Sequence, residues 1–216
     1  MTAANMVIFA RTLLDETGIT SGFWTDTEIY SALASGQQAV ANYFLGIYKM
    51  QKQQDHAIAI PQPLEPLYFN EVNTTTTGLV AKPADYWHLL GASFAYTGGL
   101  VGTFYKCRIY HLSEVMFDDI NNSFLAATNT DPIVYEVYSS GQKFYFLPAV
   151  SGTGAYSINY LKVPSAIASG TEPTLPVQTH NAIVFYAVAQ MLFKEQRPQE
   201  SQILMQEYFT ELQGIK

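Results

Sequence analysis

Three prolines within six positions, Pro61, Pro63 and Pro66, constrain this chain more than any other feature. Proline lacks a backbone N–H and clashes with the preceding turn, so no α-helix runs through 61–66, and an extended segment is expected there. The chain before it reads as helix. From Ala3 to Thr17 the apolar residues Ala3, Val7, Ala10 and Leu14 recur at helical spacing, with Gly18 as the stop. Thr25-Asp26-Thr27-Glu28 is a capping box with Trp24 placed as a staple. It opens a helix carrying Ile29, Leu33, Val40, Phe44 and Ile47 on one face, to about Lys49 or beyond. Gly36 inside it marks a close packing point.

The middle of the chain reads as strand and turn. Asn73 to Gly78, with four consecutive threonines, predicts a loop or hairpin tip, and Lys82 to Tyr86 a turn. Strands are expected over Trp87–Tyr96, Thr103–His111, Ile133–Tyr138, Lys143–Leu147 and Tyr156–Val163. Leu112–Ile120 is a short helix candidate capped by Ser113, Asn121–Thr130 a loop, and 139–142 a hairpin turn. Past a polar linker from Pro164 to Pro173, Leu175-Pro176 leads to Thr179, a cap for a helix over His180–Glu195 that is apolar nearly all round and therefore central. Pro198 starts the last helix, striped by Leu204, Tyr208 and Leu212 and widened by Met205 and Phe209. The expected class is α+β: terminal α-helices forming a helical bundle with a β-rich insertion, divided at 1–54, 55–165 and 166–216 within one structural unit.

Composition narrows function. The 216 residues are 48% hydrophobic but only 13% charged, against roughly 25% in ordinary soluble proteins. The net charge of −7 argues against a phosphate-backbone binder. Aromatics reach 14%, with 15 Tyr and 13 Phe; low charge with many tyrosines fits a surface partly covered by a partner. The one cysteine, Cys107, excludes an internal disulfide and a cysteine zinc site. It stands between Lys106 and Arg108, which would activate a thiolate, but on an alternating strand those cations face away and a buried apolar role is expected. No signal-peptide profile and no membrane-length apolar run is visible, so a soluble, intracellularly made protein without membrane contact is expected, and its two glycosylation sequons are chance matches.

No catalytic, cofactor-binding or metal site is expected. His56, His88, His111 and His180 stand at no metal-ligand spacing. The neighbours Asp118-Asp119 point apart on a short helix, and Asp15-Glu16 closes the first helix. There is no Gly-x-Ser-x-Gly elbow, and Gly98 to Gly102 lacks the phosphate-loop lysine. Tyrosines stacking on a glycan remain open, with Trp87 as the platform.

A set of motifs, taken in order, resembles the head-to-tail connector (adaptor) proteins of tailed bacteriophages. Pro83-Ala84-Asp85-Tyr86 resembles the family's P-x-D-aromatic lead into its β region, and Leu112 to Phe117 its short helix. Asp131-Pro132-Ile133-Val134-Tyr135 and Gly141 to Pro148 resemble its hairpin. Tyr156 to Pro164 resembles its Y-x-l-x-Y-x-r-x-P strand, with Lys162 where Arg is more usual. Leu175-Pro176 with Ala182 to Ala189, and the helix from Trp24 to Phe44, complete the match; Ala59 to Gly78 matches nothing in it.

The resemblance implies a non-enzymatic virion protein of the neck, assembled in the host cytoplasm. It implies a homo-oligomeric ring, typically dodecameric, under the portal protein. Such a ring extends the DNA channel and docks a tail tube, nozzle or second adaptor. Genomic DNA only passes through, and an acidic lining would repel rather than grip it. Partner contacts are expected at Thr74, Thr75, Thr76 and Thr77, and at Phe209, Leu212, Ile215 and Lys216, because Gly214-Ile215-Lys216 is expected past the last helix. Another tail or baseplate ring protein, or a glycan-binding module, are the alternatives.

Overall fold

The computed structural model describes residues 1–16, 22–54, 58–96, 99–112, 130, 132–137, 143–147 and 153–215. The expected stop at Gly18, the short helix after Leu112, the 121–129 loop and the 139–142 turn lie outside the described residues, as do His56, Asp118, Asp119 and Lys216. The chain divides into two compact units, Met1–Leu67 with Val163–Lys216, and Tyr68–Lys162.

Unit 1 is helical. Thr2 caps α1 (Ala3–Leu13) through its hydroxyl, which accepts from the Asn5 N–H at 3.2 Å. Ala3, Met6, Val7 and Ala10 bury one face. α2 (Asp26–Gln54) has 29 residues and is therefore about 43 Å long at 1.5 Å per residue. Its capping box is formed: the Thr25 N–H donates to Glu28 Oε2 at 2.9 Å and the Glu28 N–H to Thr25 Oγ1 at 3.3 Å. α3 (His180–Lys194) is buried on most of its circumference and touches α1, α2 and α4 (Pro198–Gly214), so it is the centre of the unit. Gly36 permits the α2–α3 approach, since a Cβ there would stand 2.5 Å from the Ile183 carbonyl oxygen. Ser201 ties α4 to α3 by donating to the Ala189 carbonyl at 2.8 Å.

Three local expectations are corrected. Gln62–Leu67 forms a 3-10 turn rather than an extended segment, because proline's fixed φ suits a 3-10 turn as well as a strand; Leu64 and Leu67 are buried by it. Thr179 does not cap α3 with its side chain. Val177–Thr179 is itself a 3-10 turn feeding the helix, and the Thr179 hydroxyl donates to the Pro176 carbonyl at 2.7 Å. Gly214 belongs to α4, leaving Ile215 as its C-cap.

The described residues of unit 2 form a sandwich of two four-stranded sheets. Its strands are β1 (Tyr68–Thr75), β2 (Leu79–Ala81), β3 (Tyr86–Ala95), β4 (Tyr105–Lys106), β5 (Arg108–Leu112), β6 (Ile133–Val137), β7 (Lys143–Leu147) and β8 (Gly154–Lys162). Sheet A runs β1-β8-β3-β4 and sheet B β2-β7-β6-β5. The shared core holds Leu89, Phe94, Tyr156, Ile158 and Tyr160 from sheet A and Val80, Val134, Phe144 and Phe146 from sheet B. Alternation decides which residues face it, since successive strand side chains point to opposite sides. The expected single strand over Thr103–His111 is two: Cys107 is a corner, with β4 in sheet A and β5 in sheet B. β5 pairs with β6 in parallel, which no local pattern announces. The expected threonine loop is shorter, because β1 continues to Thr75 and turns at Gly78, whose φ is +71°.

Two outcomes test unit 1. Gly36→Ala should cost about 1–3 kcal/mol by overpacking, outweighing the roughly 1 kcal/mol of helix propensity gained. Gly46→Ala on the same helix, where nothing lies within 4 Å of a Cβ, should stabilise; urea unfolding of both variants checks this. Burial holds the His180 imidazole below its ordinary value. The unfolded chain then binds more protons, so this contribution is complete above about pH 6.5. It is lost as pH falls from there through the folded value, and His180→Gln should flatten that slope in unfolding midpoints measured against pH.

Candidate interaction surfaces

The expected contact residues fall in both units. In unit 1, Phe209 is 48% exposed and packs on Tyr208 with ring centroids 5.0 Å apart. Leu212 is buried, because Tyr208 and Leu212 form the inward stripe of α4; it supports the helix and offers no contact face. Ile215 lines a cleft of about 400 Å³ with Gln178, Thr210, Glu211 and Gly214. In unit 2, Thr74, Thr76 and Thr77 are exposed. Thr75 is buried at the end of β1, where its hydroxyl accepts from the Thr77 N–H, and is likewise corrected as a contact.

The stretch just before those threonines carries a surface that the motifs miss. β1 is exposed along almost its whole length, with Tyr68, Phe69 and Val72 at 43%, 41% and 51%. Its eight residues pair with β8 without a register shift, and among the described strands its other side is an edge of sheet A. The 3-10 turn Gly99–Val101 packs against β1 and β8 and adds exposed Leu100 and Val101, the latter 94% exposed. The apolar side chains at this edge are held in place. Phe69 stacks edge-on to Tyr160 at 5.6 Å, and Lys162 Nζ lies 3.7 Å from the Phe69 ring centroid. Lys162 also pairs with Asp85 Oδ2 at 3.0 Å, and the Tyr160 hydroxyl donates to Asp85 Oδ1 at 3.2 Å. Two segments that carry the resemblance, around Asp85 and around Lys162, therefore meet beneath this edge. On the outer face Asn159 Oδ1 accepts from Tyr68 at 2.8 Å and from Asn70 at 2.6 Å.

Groups with chemical potential are used inside the fold. Lys82 and Glu136 are 4% and 1% exposed and pair at 2.9 Å, with the Tyr86 hydroxyl donating to the same carboxylate oxygen. Lys82 also lies over the Tyr86 and Phe144 rings. The cluster fastens the turn before β3 to β6, one sheet to the other, and is closed to a substrate. Cys107 is buried, and burial pushes its thiol up to about 12, while Lys106 and Arg108 are exposed on either side. Trp87 sits half-buried at a bulge between Tyr86 and His88. His88 is half-buried on β3, and His180 faces the Leu175 carbonyl at 2.9 Å. Glu16, just past the end of α1, is buried: it takes Arg11 at 2.8 Å and the Trp24 N–H at 3.1 Å. Among the described residues no group of three or more His, Cys, Asp or Glu is arranged to hold a metal ion. No described helix is long and apolar enough to cross a membrane.

No family model matches the chain, and no curated protein matches it.

The thiol gives a direct check on unit 2. Cys107 should resist a thiol reagent at pH 8 in the native protein and react fully once urea unfolds the sandwich. Lys82→Met removes a cation paired with the buried Glu136, and should destabilise the protein by about 3–5 kcal/mol in urea unfolding.

Proposed function

We propose that this chain is a structural virion protein, a head-to-tail connector of a tailed bacteriophage that forms a ring beneath the portal. In this reading it extends the DNA channel and docks the tail, and it carries out no chemistry. The observation that carries the proposal is the open edge of β1 on a sandwich inserted between helices. Tyr68, Phe69, Val72, Leu100 and Val101 are all exposed on or against this one strand. Apolar side chains gathered at one place on a chain with only 13% charged residues fit a surface that assembly covers.

The order of elements supports the same reading. Segments that resemble connector motifs form the turn into β3, strands β6 to β8 and the start of α3. The net charge of −7 suits a conduit that DNA traverses without sticking. Copies in a ring meet through heterologous interfaces, in which two different surfaces of the same chain face each other. The exposed Phe209 and the Ile215 cleft at the end of α4 are suited to docking on portal or tail.

Native mass spectrometry of the protein, alone and mixed with the portal protein of the same genome, tests this. A ring, or a monomer that joins portal rings at a fixed ratio, is the expected result. A monomer that ignores the portal overturns the proposal. Removing 214–216 should weaken portal assembly at least several-fold while leaving the unfolding midpoint nearly unchanged.

A further inference from the structure

Among the described residues sheet A ends in two edge strands of unequal character. β4 is blunt: it is two residues long and carries the exposed Lys106. β1 is eight residues long, unbulged, and has neither proline nor lysine. Native proteins protect exposed edges with short strands, lysines, prolines or bulges, because an unprotected edge recruits another strand. The one charge on β1 is Glu71, and Glu71 is engaged by the Tyr156 hydroxyl at 2.8 Å. Among the described residues β1 has none of these sequence guards and carries exposed apolar side chains, the reverse of what a permanently solvated edge carries.

We infer that β1 pairs along part of its length with β4 of a second copy of this chain, which joins head to tail and continues sheet A from one copy to the next. The inference rests on the ring reading above and names a contact within it. Strand polarity favours it. β1 is antiparallel to β8, β8 to β3, and β3 to β4. β1 and β4 therefore run in opposite directions, and copies in the same orientation bring them together as an antiparallel pair. The alternative self-pairing of β1 about a two-fold axis centred on Glu71 would set two carboxylates directly opposite each other, which is destabilising. Side-chain alternation matches as well. Tyr105 pairs with the core-facing Phe94, so it stands on the same face of the sheet as Phe69, and Lys106 stands on the face of Tyr68. Cross-strand aromatic and cation–aromatic pairs are then available across the join.

Engineered cysteines test this. Within one chain β1 and β4 are three strand spacings apart, about 14 Å, and a disulfide needs Cα atoms within about 7 Å. A bond between Cys at 105 and Cys at 69 or 71 must therefore join two copies. Tyr105→Cys is combined in turn with Phe69→Cys and with Glu71→Cys, the assembled protein is oxidised, and denaturing gels are run without reductant. A ladder of linked copies from one double variant, and none from the single variants, is expected. Linked dimers from Phe69→Cys alone would mean β1 pairs with itself and overturn the inference, as would linkage to portal instead of to another copy. Val72→Lys places a guard charge on an exposed position; it should lower ring formation at least ten-fold with an unchanged unfolding midpoint. Rings that form normally with Val72→Lys, or that yield no cross-links, overturn this contact and leave the connector reading standing. A parent protein that never assembles removes both.

Discussion

The carboxamide of Gln37 closes unit 1 where the chain returns to it. Gln37 is fully buried on α2, and its Nε2 donates to the Ser165 carbonyl at 2.7 Å. Its Oε1 accepts the Thr174 N–H at 2.7 Å and the Leu175 N–H at 3.3 Å. One side chain thus satisfies three backbone groups of a linker that has no regular structure of its own. Buried backbone polar groups need partners, and irregular chain rarely supplies them from within. With the linker pinned, Leu175 is buried, the His180 ring meets its carbonyl, and α3 starts in the middle of the bundle. The packing of α1, α2 and α4 around α3 depends on that starting point.

A second network steadies the same unit from the opposite end of the helices. Arg11 donates to Glu16, to the Trp24 carbonyl and to Asp26, joining the end of α1 to the start of α2. The Trp24 indole N–H donates to Glu195, and Arg197 bridges Glu195 and Glu200 across the α3–α4 corner. Exposed members of such a chain contribute little singly. The half-buried Arg11 and Trp24 fix the geometry of two helix corners at once, which is why residues that read as a simple cap and staple are tied to a glutamate far along the chain.

Much of unit 1 was legible because its signals are local. The capping box at Thr25 and Glu28, the spacing of Ile29, Leu33, Val40 and Phe44, the close packing at Gly36 and the all-round apolar α3 each depend on residues within one or two turns. The β core was legible by alternation, as in Tyr156, Ile158 and Tyr160. Corners and sheet membership were not. Cys107 divides what reads as one strand because its neighbours pair with different sheets, and that choice is made by partners distant in sequence. The parallel β5–β6 pair is invisible for the same reason. Along the exposed edge, composition marks the threonine tip, while Tyr68, Phe69 and Val72 carry no local signal. An edge strand exposed on both faces has no alternation to detect, and three prolines just upstream disguise it as linker. The only hint was that these apolar residues keep no period.

The pairing of Tyr68 with Leu161 gives the sandwich a property of its own. Its first and last strands are hydrogen-bonded neighbours, so unit 2 leaves and rejoins the rest of the chain through two adjacent strand ends. For unit 1, bringing Leu67 and Val163 together across an unfolded intervening chain would carry the closure entropy of a long loop, which grows by about 0.6 kcal/mol for each doubling of length. Once the sandwich has folded, that long loop has become a gap of one strand spacing. The entropy of closure is then borne by β-sheet formation, and the helices on either side can meet as if a short turn joined them. The thermodynamic link between the two units lies in the connectivity of the chain, and it would act even if no side chain passed between them.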